Sequence, residues 1–171
     1  MDLNGKCVVI TGVSRGIGSA LVHQFLAKGC MVGGMGLNDP KIAHQNFSFY
    51  KTDIRKSENV RTSFNSYLKK TDNQIDILIN NAGVGYFGKI EDYTDDQIAQ
   101  MFEANVYGTL YTCREAVPIM KAQERGHIIN IASTAALEGY PEVSVYCATK
   151  HAVKAISESM YKELRDFAVK V

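Results

Sequence analysis

The chain has 171 residues, 46% of them hydrophobic and 22% charged, with a formal net charge of +1. That length suits one domain with a real core, and the interspersed Lys, Arg, Asp and Glu exclude both a basic nucleic-acid-binding face and a disordered acidic tail. Cys7, Cys30, Cys113 and Cys147 form no CxxC pair, so they read as small buried residues in a reducing compartment rather than a disulfide frame or a zinc site. The longest apolar runs are of strand length, and Met1–Lys6 lacks the shape of a signal peptide. A cytoplasmic protein with no membrane partner is expected.

Strand and helix patterns alternate along the chain. Cys7–Thr11 (CVVIT) reads as a buried strand, and 12–18 as a glycine-rich turn. Ile17, Leu21, Val22, Phe25 and Leu26 recur at helical spacing until Gly29 ends the helix. Cys30–Met35 reads as a second strand and Phe47–Ile54 as a third, with Asp53 at its end. The segment between them leaves room for a helix of at most a turn or two. Val60, Phe64, Tyr67 and Leu68 mark an amphipathic helix, and Ile75–Ile79 is a fourth strand running into Asn80-Asn81-Ala82-Gly83. A long helical stretch over 95–123 follows, which Gly108 and Pro118 are expected to bend. His127–Ala132 is a fifth strand ending at Ser133, and 145–167 is helical again. The last residues, Phe167–Val171, read as the opening of a sixth strand.

Apolar strands that alternate with helices imply an α/β fold: a doubly wound parallel sheet in three α/β/α layers, here as a single domain over 1–171. Ligands of such sheets bind beyond the carboxyl ends of the strands. The unusual residues of this chain fall at those ends: Gly12 after the first strand, Asp53 after the third, Asn81 after the fourth and Ser133 after the fifth.

Tyr146 and Lys150 lie four residues apart, on one face of the last helix. A free phenol is a poor base at neutral pH, and a cation held beside it favours the phenolate. Such a pair can trade a proton with an alcohol or carbonyl, and the Ser133 hydroxyl can hold the same oxygen. Taken alone, Tyr-x-x-x-Lys is more often an aromatic ring packed over a lysine stem. The other residues also have plain structural uses: Asp53 as a helix cap, Asn105 as a kink, and Asn81-Ala82-Gly83 as a turn. His23, His44, His127 and His151 show no ligand spacing, so no metal site is expected.

With TGVSRGIG at 11–18, NNAG at 80–83, Asn105, Ser133, Tyr146 and Lys150 in order, the chain resembles the short-chain dehydrogenase/reductase family. The resemblance covers 11–150 and implies a Rossmann fold and an NAD(P)-dependent oxidoreductase acting on a small-molecule carbonyl or secondary alcohol. It implies that Tyr146 is the general acid and base, and that Ser133 orients the substrate. Lys150 would bind the nicotinamide ribose, and Asn105 would hold a proton-relaying water. It places Gly12, Ser14, Arg15, Gly16, Ile17, Gly18, Asp53, Ile54, Asn81, Ala82 and Gly83 on the cofactor, with Tyr146 and Lys150, and makes Asp53 the residue that caps adenine. It also implies a homo-oligomer paired through the long helices.

Cofactor choice turns on the end of the second strand, where Gly36 and Leu37 carry no charge. Asp39 could reach a ribose 2′-hydroxyl, whereas Arg15 suits a 2′-phosphate, so NADP is expected ahead of NAD. Family members continue past the sixth strand with a substrate-covering segment and a seventh strand. This sequence lacks those last strands, so the edge of the fifth strand is expected to be unpaired or poorly paired. A chain of this kind that binds nucleotide without turnover is the rival expectation.

Overall fold

The computed structural model describes residues 2–171. Its strands are β1 (Cys7–Thr11), β2 (Met31–Gly36), β3 (Phe47–Lys51), β4 (Ile77–Asn80), β5 (Gly126–Asn130) and β6 (Val169–Lys170). Its helices are α1 (Gly16–Ala27), α2 (Ser57–Leu68), α3 (Asp95–Phe102), α4 (Gly108–Ala122) and α5 (Ser144–Leu164). All the strand pairs are parallel, in the order β3-β2-β1-β4-β5-β6. The order reverses between β1 and β4, which opens a crevice at their carboxyl ends.

β1 is buried along its whole length, because both faces of the sheet are covered. Cys7 and Val9 point into one core with Phe64 and Tyr67 of α2, Met120 of α4 and Leu164 of α5. Val8 and Ile10 point into the other, where Leu21, Val22, Phe25 and Leu26 of α1 pack over Ile77 and Ile79. Over β5 this second face is thinner, and His127 and Ile129 are only half-buried. Among the described residues no helix is long and apolar enough to cross a membrane.

Several boundaries differ from the sequence reading. β3 stops at Lys51 rather than Ile54. The chain turns there because the Asp53 carboxylate accepts the Arg55 backbone N–H at 3.1 Å. No helix forms between β2 and β3. The 95–123 stretch is not one bent helix: a π-helical turn at Glu103–Tyr107 separates α3 from α4. Pro118 lies inside α4, so the break falls at the π turn around Asn105, whose side chain is drawn inward. The edge of β5 is paired over a short stretch, Gly126 with Val169 and His127 with Lys170.

Asp76 ties the amino ends of the central strands together. Its carboxylate accepts the Cys7 N–H at 2.9 Å, the Lys6 ammonium at 3.1 Å and the Arg125 guanidinium at 3.2 Å. Burial alone would push this carboxyl up; the bonds from Cys7, Lys6 and Arg125 outweigh it and hold it below the usual carboxylate range. A carboxyl with a depressed folded pKa stabilises the native state above its unfolded value, and that contribution is lost as pH falls through the folded one. Asp76→Asn is therefore expected to cost about 2 kcal/mol at neutral pH. The deficit should begin to shrink below about pH 4, where the unfolded carboxyl takes up its proton, and disappear as pH falls through the lower folded value. Urea melts of both chains at several pH values measure it, and a deficit independent of pH would contradict the assignment.

Candidate active site

The loop after β1 reaches across the crevice because glycine carries it. Gly12 has φ +72°, and a Cβ there would lie 2.7 Å from Ala82 Cα. A Cβ on Gly18 would overlap the Gly12 carbonyl and lie 2.6 Å from Asn81 Nδ2. The first turn of α1 is thereby brought against the end of β4. Thr11 and Asn81 join the two strand ends. The Thr11 hydroxyl accepts the Asn81 and Ala82 N–H groups at 3.1 and 3.0 Å, and Asn81 Nδ2 donates to the Thr11 and Gly12 carbonyls at 3.0 and 3.2 Å.

Above this junction lies a cleft of about 650 Å³. Gly12, Ser14, Arg15, Gly16 and Ile17 line one side; Asn81, Ala82, Gly83 and Val84 form a second wall; Asp53 and Ile54 line the far wall. Gly18 is buried beneath the loop rather than lining the cleft. The amino end of α1 opens into the cleft with no side-chain cap on its first amides. Ile17 is 63% exposed, an apolar side chain left uncovered at the mouth.

The cleft's charges are arranged unevenly. The Asp53 carboxylate is gripped by Arg55, at 2.8 Å from Nη2 and 2.9 Å from Nε. The Arg55 hydrogen bonds hold it below the usual carboxylate range. Arg55 also lines the wall, which sequence reasoning missed although it stands two residues beyond Asp53. Arg15 is exposed on the opposite side and makes no ion pair among the described residues. At the end of β2, Gly36, Leu37 and Asn38 line the cleft, and Ser14 Oγ donates to the Asn38 carbonyl at 2.6 Å. Asp39 does not line it; its carboxylate accepts the Lys41 N–H at 2.8 Å.

None of the expected reacting residues lines this cleft; Asn105 and Lys150 stand beside Gly83 at its end, and Tyr146 stands beside Gly85. A Cβ on Gly83 would lie 2.9 Å from Asn105 Oδ1 and 3.9 Å from Lys150 Nζ, and one on Gly85 would lie 3.1 Å from the Tyr146 ring. Lys150 Nζ stands 5.6 Å from the Tyr146 ring centroid and donates to the Ile131 carbonyl at 2.8 Å. Lys150 is 6% exposed as a residue, and burial pushes its pKa down. Ser133 caps the short turn Thr134–Ala136, accepting the Ala135 N–H at 3.2 Å and keeping its own proton to donate. Asn105 is 1% exposed; its Nδ2 donates to the Val84 carbonyl and to Thr149 Oγ1, and its Oδ1 accepts the Val84 N–H at 2.8 Å. Among the described residues no cluster of three or more His, Cys, Asp and Glu is placed to hold a metal ion.

The family profile described as short chain dehydrogenase matches residues 6–171. An uncharacterised oxidoreductase of Staphylococcus saprophyticus is 36% identical over 173 residues, covering 95% of this chain and 68% of that protein. A short-chain dehydrogenase/reductase from Burkholderia phymatum, solved in complex with NAD, matches with a TM-score of 0.93 at 28% identity, over 99% of this chain and 64% of that one. ElxO, solved with NADP bound, matches with a TM-score of 0.92 at 29% identity, over 98% of this chain and 71% of that one. The chain thus spans roughly two thirds of the length of these proteins.

The buried Lys150 has a sign that can be measured. Its depressed folded pKa penalises the native state while the ammonium is charged, and the penalty is relieved as pH rises through that value. Lys150→Met keeps the unbranched stem and removes the charge. Its Tm at pH 7 is expected to equal or exceed the parent's, with the gain vanishing toward pH 10. A Tm several degrees below the parent's at pH 7 would show that the Ile131 bond outweighs burial.

Proposed function

This chain belongs to the short-chain dehydrogenase family, and on that premise we propose that its cleft holds a nicotinamide dinucleotide and that its reaction is the interconversion of a carbonyl and a secondary alcohol. The residues fit such a group. The glycine cradle at Gly12 and Gly18 leaves the backbone free to approach a pyrophosphate, and the uncapped amides of α1 suit its charge. Ser14, Arg15, Gly16 and Ile17, with Asp53, Ile54, Asn81, Ala82 and Gly83, would hold the dinucleotide, and Lys150 and Tyr146 would flank its nicotinamide end. When bound, the nicotinamide supplies or accepts the hydride.

The rest of the chemistry belongs to the chain's own side chains. Tyr146 gives its phenolic proton to the carbonyl oxygen in reduction and takes it from the alcohol in oxidation. The Lys150 ammonium stands beside the same ring, 5.6 Å from its centroid. Ser133 donates a hydrogen bond to the same oxygen. Asn105 has its side-chain amide committed to Val84 and Thr149, so a water held by this residue is held by its backbone carbonyl, which also accepts the Thr109 hydroxyl. The exposed apolar side chains of Phe87 and Leu137, on the loops flanking Tyr146, favour a largely apolar substrate. The observation that carries the reading is the buried Lys150 ammonium, which has no ion-pair partner among the described residues and stands between Tyr146 and the cleft wall at Gly83.

NADP is the preferred dinucleotide. No carboxylate of the β2 end faces the cleft, Asp39 is committed to Lys41, and Arg15 is free to meet a 2′-phosphate. A cytoplasmic homo-oligomer paired through α4 and α5 belongs to the same proposal, supported by the exposed Tyr107, Leu110 and Tyr161.

Tyr146→Phe is expected to lower turnover of NADPH with a panel of ketones and aldehydes by at least about a hundredfold, while nucleotide affinity stays within about twofold. Turnover equal to the parent's would sink the assignment, and binding without any parental turnover would favour the non-catalytic reading. Arg15→Ala is expected to weaken NADPH at least about tenfold and NADH hardly at all. Equal losses for both, read by calorimetric titration, would contradict the 2′-phosphate role.

A further inference from the structure

Thr149 carries a buried hydroxyl that the proposed reaction does not use. The residue is completely buried, on α5 immediately before Lys150. Its Oγ1 donates to the Tyr146 carbonyl at 2.8 Å and receives the Asn105 Nδ2 at 3.0 Å. A threonine hydroxyl has one proton to give. With that proton committed to Tyr146, the oxygen can only accept, so only the nitrogen side of the Asn105 amide can face it. The choice has a consequence across the cleft. The second Nδ2 proton goes to the Val84 carbonyl at 2.9 Å, and Oδ1 is left to accept the Val84 N–H at 2.8 Å. Val84 follows directly on Gly83, at the wall of the cleft.

We propose that Thr149 is a positioning residue: through Asn105 it fixes the cleft wall at Gly83–Val84 relative to the Tyr146–Lys150 helix. The hydroxyl touches no reacting atom. It sets the orientation of one amide, and that amide joins the π turn, the segment after β4 and α5 in one hydrogen-bonded unit. Thr149→Val keeps the shape and removes the acceptor. One Nδ2 proton of a 1% exposed asparagine is then left without a partner, and the grip on Val84 loosens. Thr149→Ser keeps the hydroxyl and is the conservative control.

The test is amide hydrogen exchange of the 171-residue chain without nucleotide, read by NMR, followed by NADPH titration. In Thr149→Val the Val84 amide is expected to exchange at least about tenfold faster. The Asn81 and Ala82 amides, held by Thr11 on the same wall, should keep their rates. Thr149→Ser should restore Val84, and Thr149→Ala, which adds no bulk, should repeat the loss. NADPH affinity should fall at least about fivefold in Thr149→Val and return in Thr149→Ser. An unchanged Val84 rate, or an equal acceleration of Val84, Asn81 and Ala82, overturns the proposal, as does a serine variant that fails to rescue. The NADPH arm rests on reading the cleft as a dinucleotide site. A parent chain that does not bind NADPH would overturn that reading, while the exchange arm still decides the role of Thr149.

Discussion

The paired hydrogen bonds between the Asn105 side chain and the Val84 peptide are the constraint on which the site depends. They join the middle of a π turn to the segment after β4, at the point where the strand order reverses. A regular helix over 95–123 would carry residue 105 past that segment in a different rotation. The extra residue of the π turn lets the asparagine face inward while α3 and α4 keep their own apolar faces. Local helical regularity gives way so that the cleft wall and the helix that carries Tyr146 and Lys150 share one frame.

The same economy runs through the centre of the sheet. Asn80 donates from Nδ2 to Asn130 Oδ1 at 2.8 Å and accepts the Thr112 hydroxyl at 2.6 Å, and Asn130 donates to Ser157 at 2.8 Å. These side chains link β4, β5, α4 and α5 just below the carboxyl ends of the strands. Buried amides are costly when unpaired and rigid when satisfied, so the network fixes the strand ends that carry the site. Ile131, next to Asn130, accepts both demands made on that strand end: its N–H donates to the Asn80 carbonyl, and its carbonyl holds Lys150. The amino ends of the strands are held separately by Asp76, so the two ends of the sheet are tuned by different residues.

Much of this was legible in the sequence because the signals are local. The CVVIT run, the glycine turn that follows it, and the helical spacing of Tyr146 and Lys150 each depend on a few adjacent residues, and the structure places each near its expected position. A kink at Asn105 was legible, but its π form was not, because it arises from contacts of Asn105 with residues 21 and 44 positions away. The end of β3 was misjudged for a local reason: Phe47–Ile54 has the apolar content of a strand, but Asp53 turns back onto Arg55. Thr149 gave no sign of its own, since a threonine before a lysine on an amphipathic helix reads as packing. Its part appears only when the partners of Asn105 are followed in space.

We place the ligand site at the carboxyl ends of β1 and β4, next to Tyr146 and Lys150. A rival cavity exists on the outer face of α1, a groove of about 420 Å³ beside His23, Lys41 and His44. Backbone NMR shifts on titrating the chain with NADPH distinguish the two directly. The shifts are expected to center on Gly12, Gly16, Asn81 to Val84 and Lys150. Shifts confined to His23 and the 40–44 segment, or none at all, would contradict it.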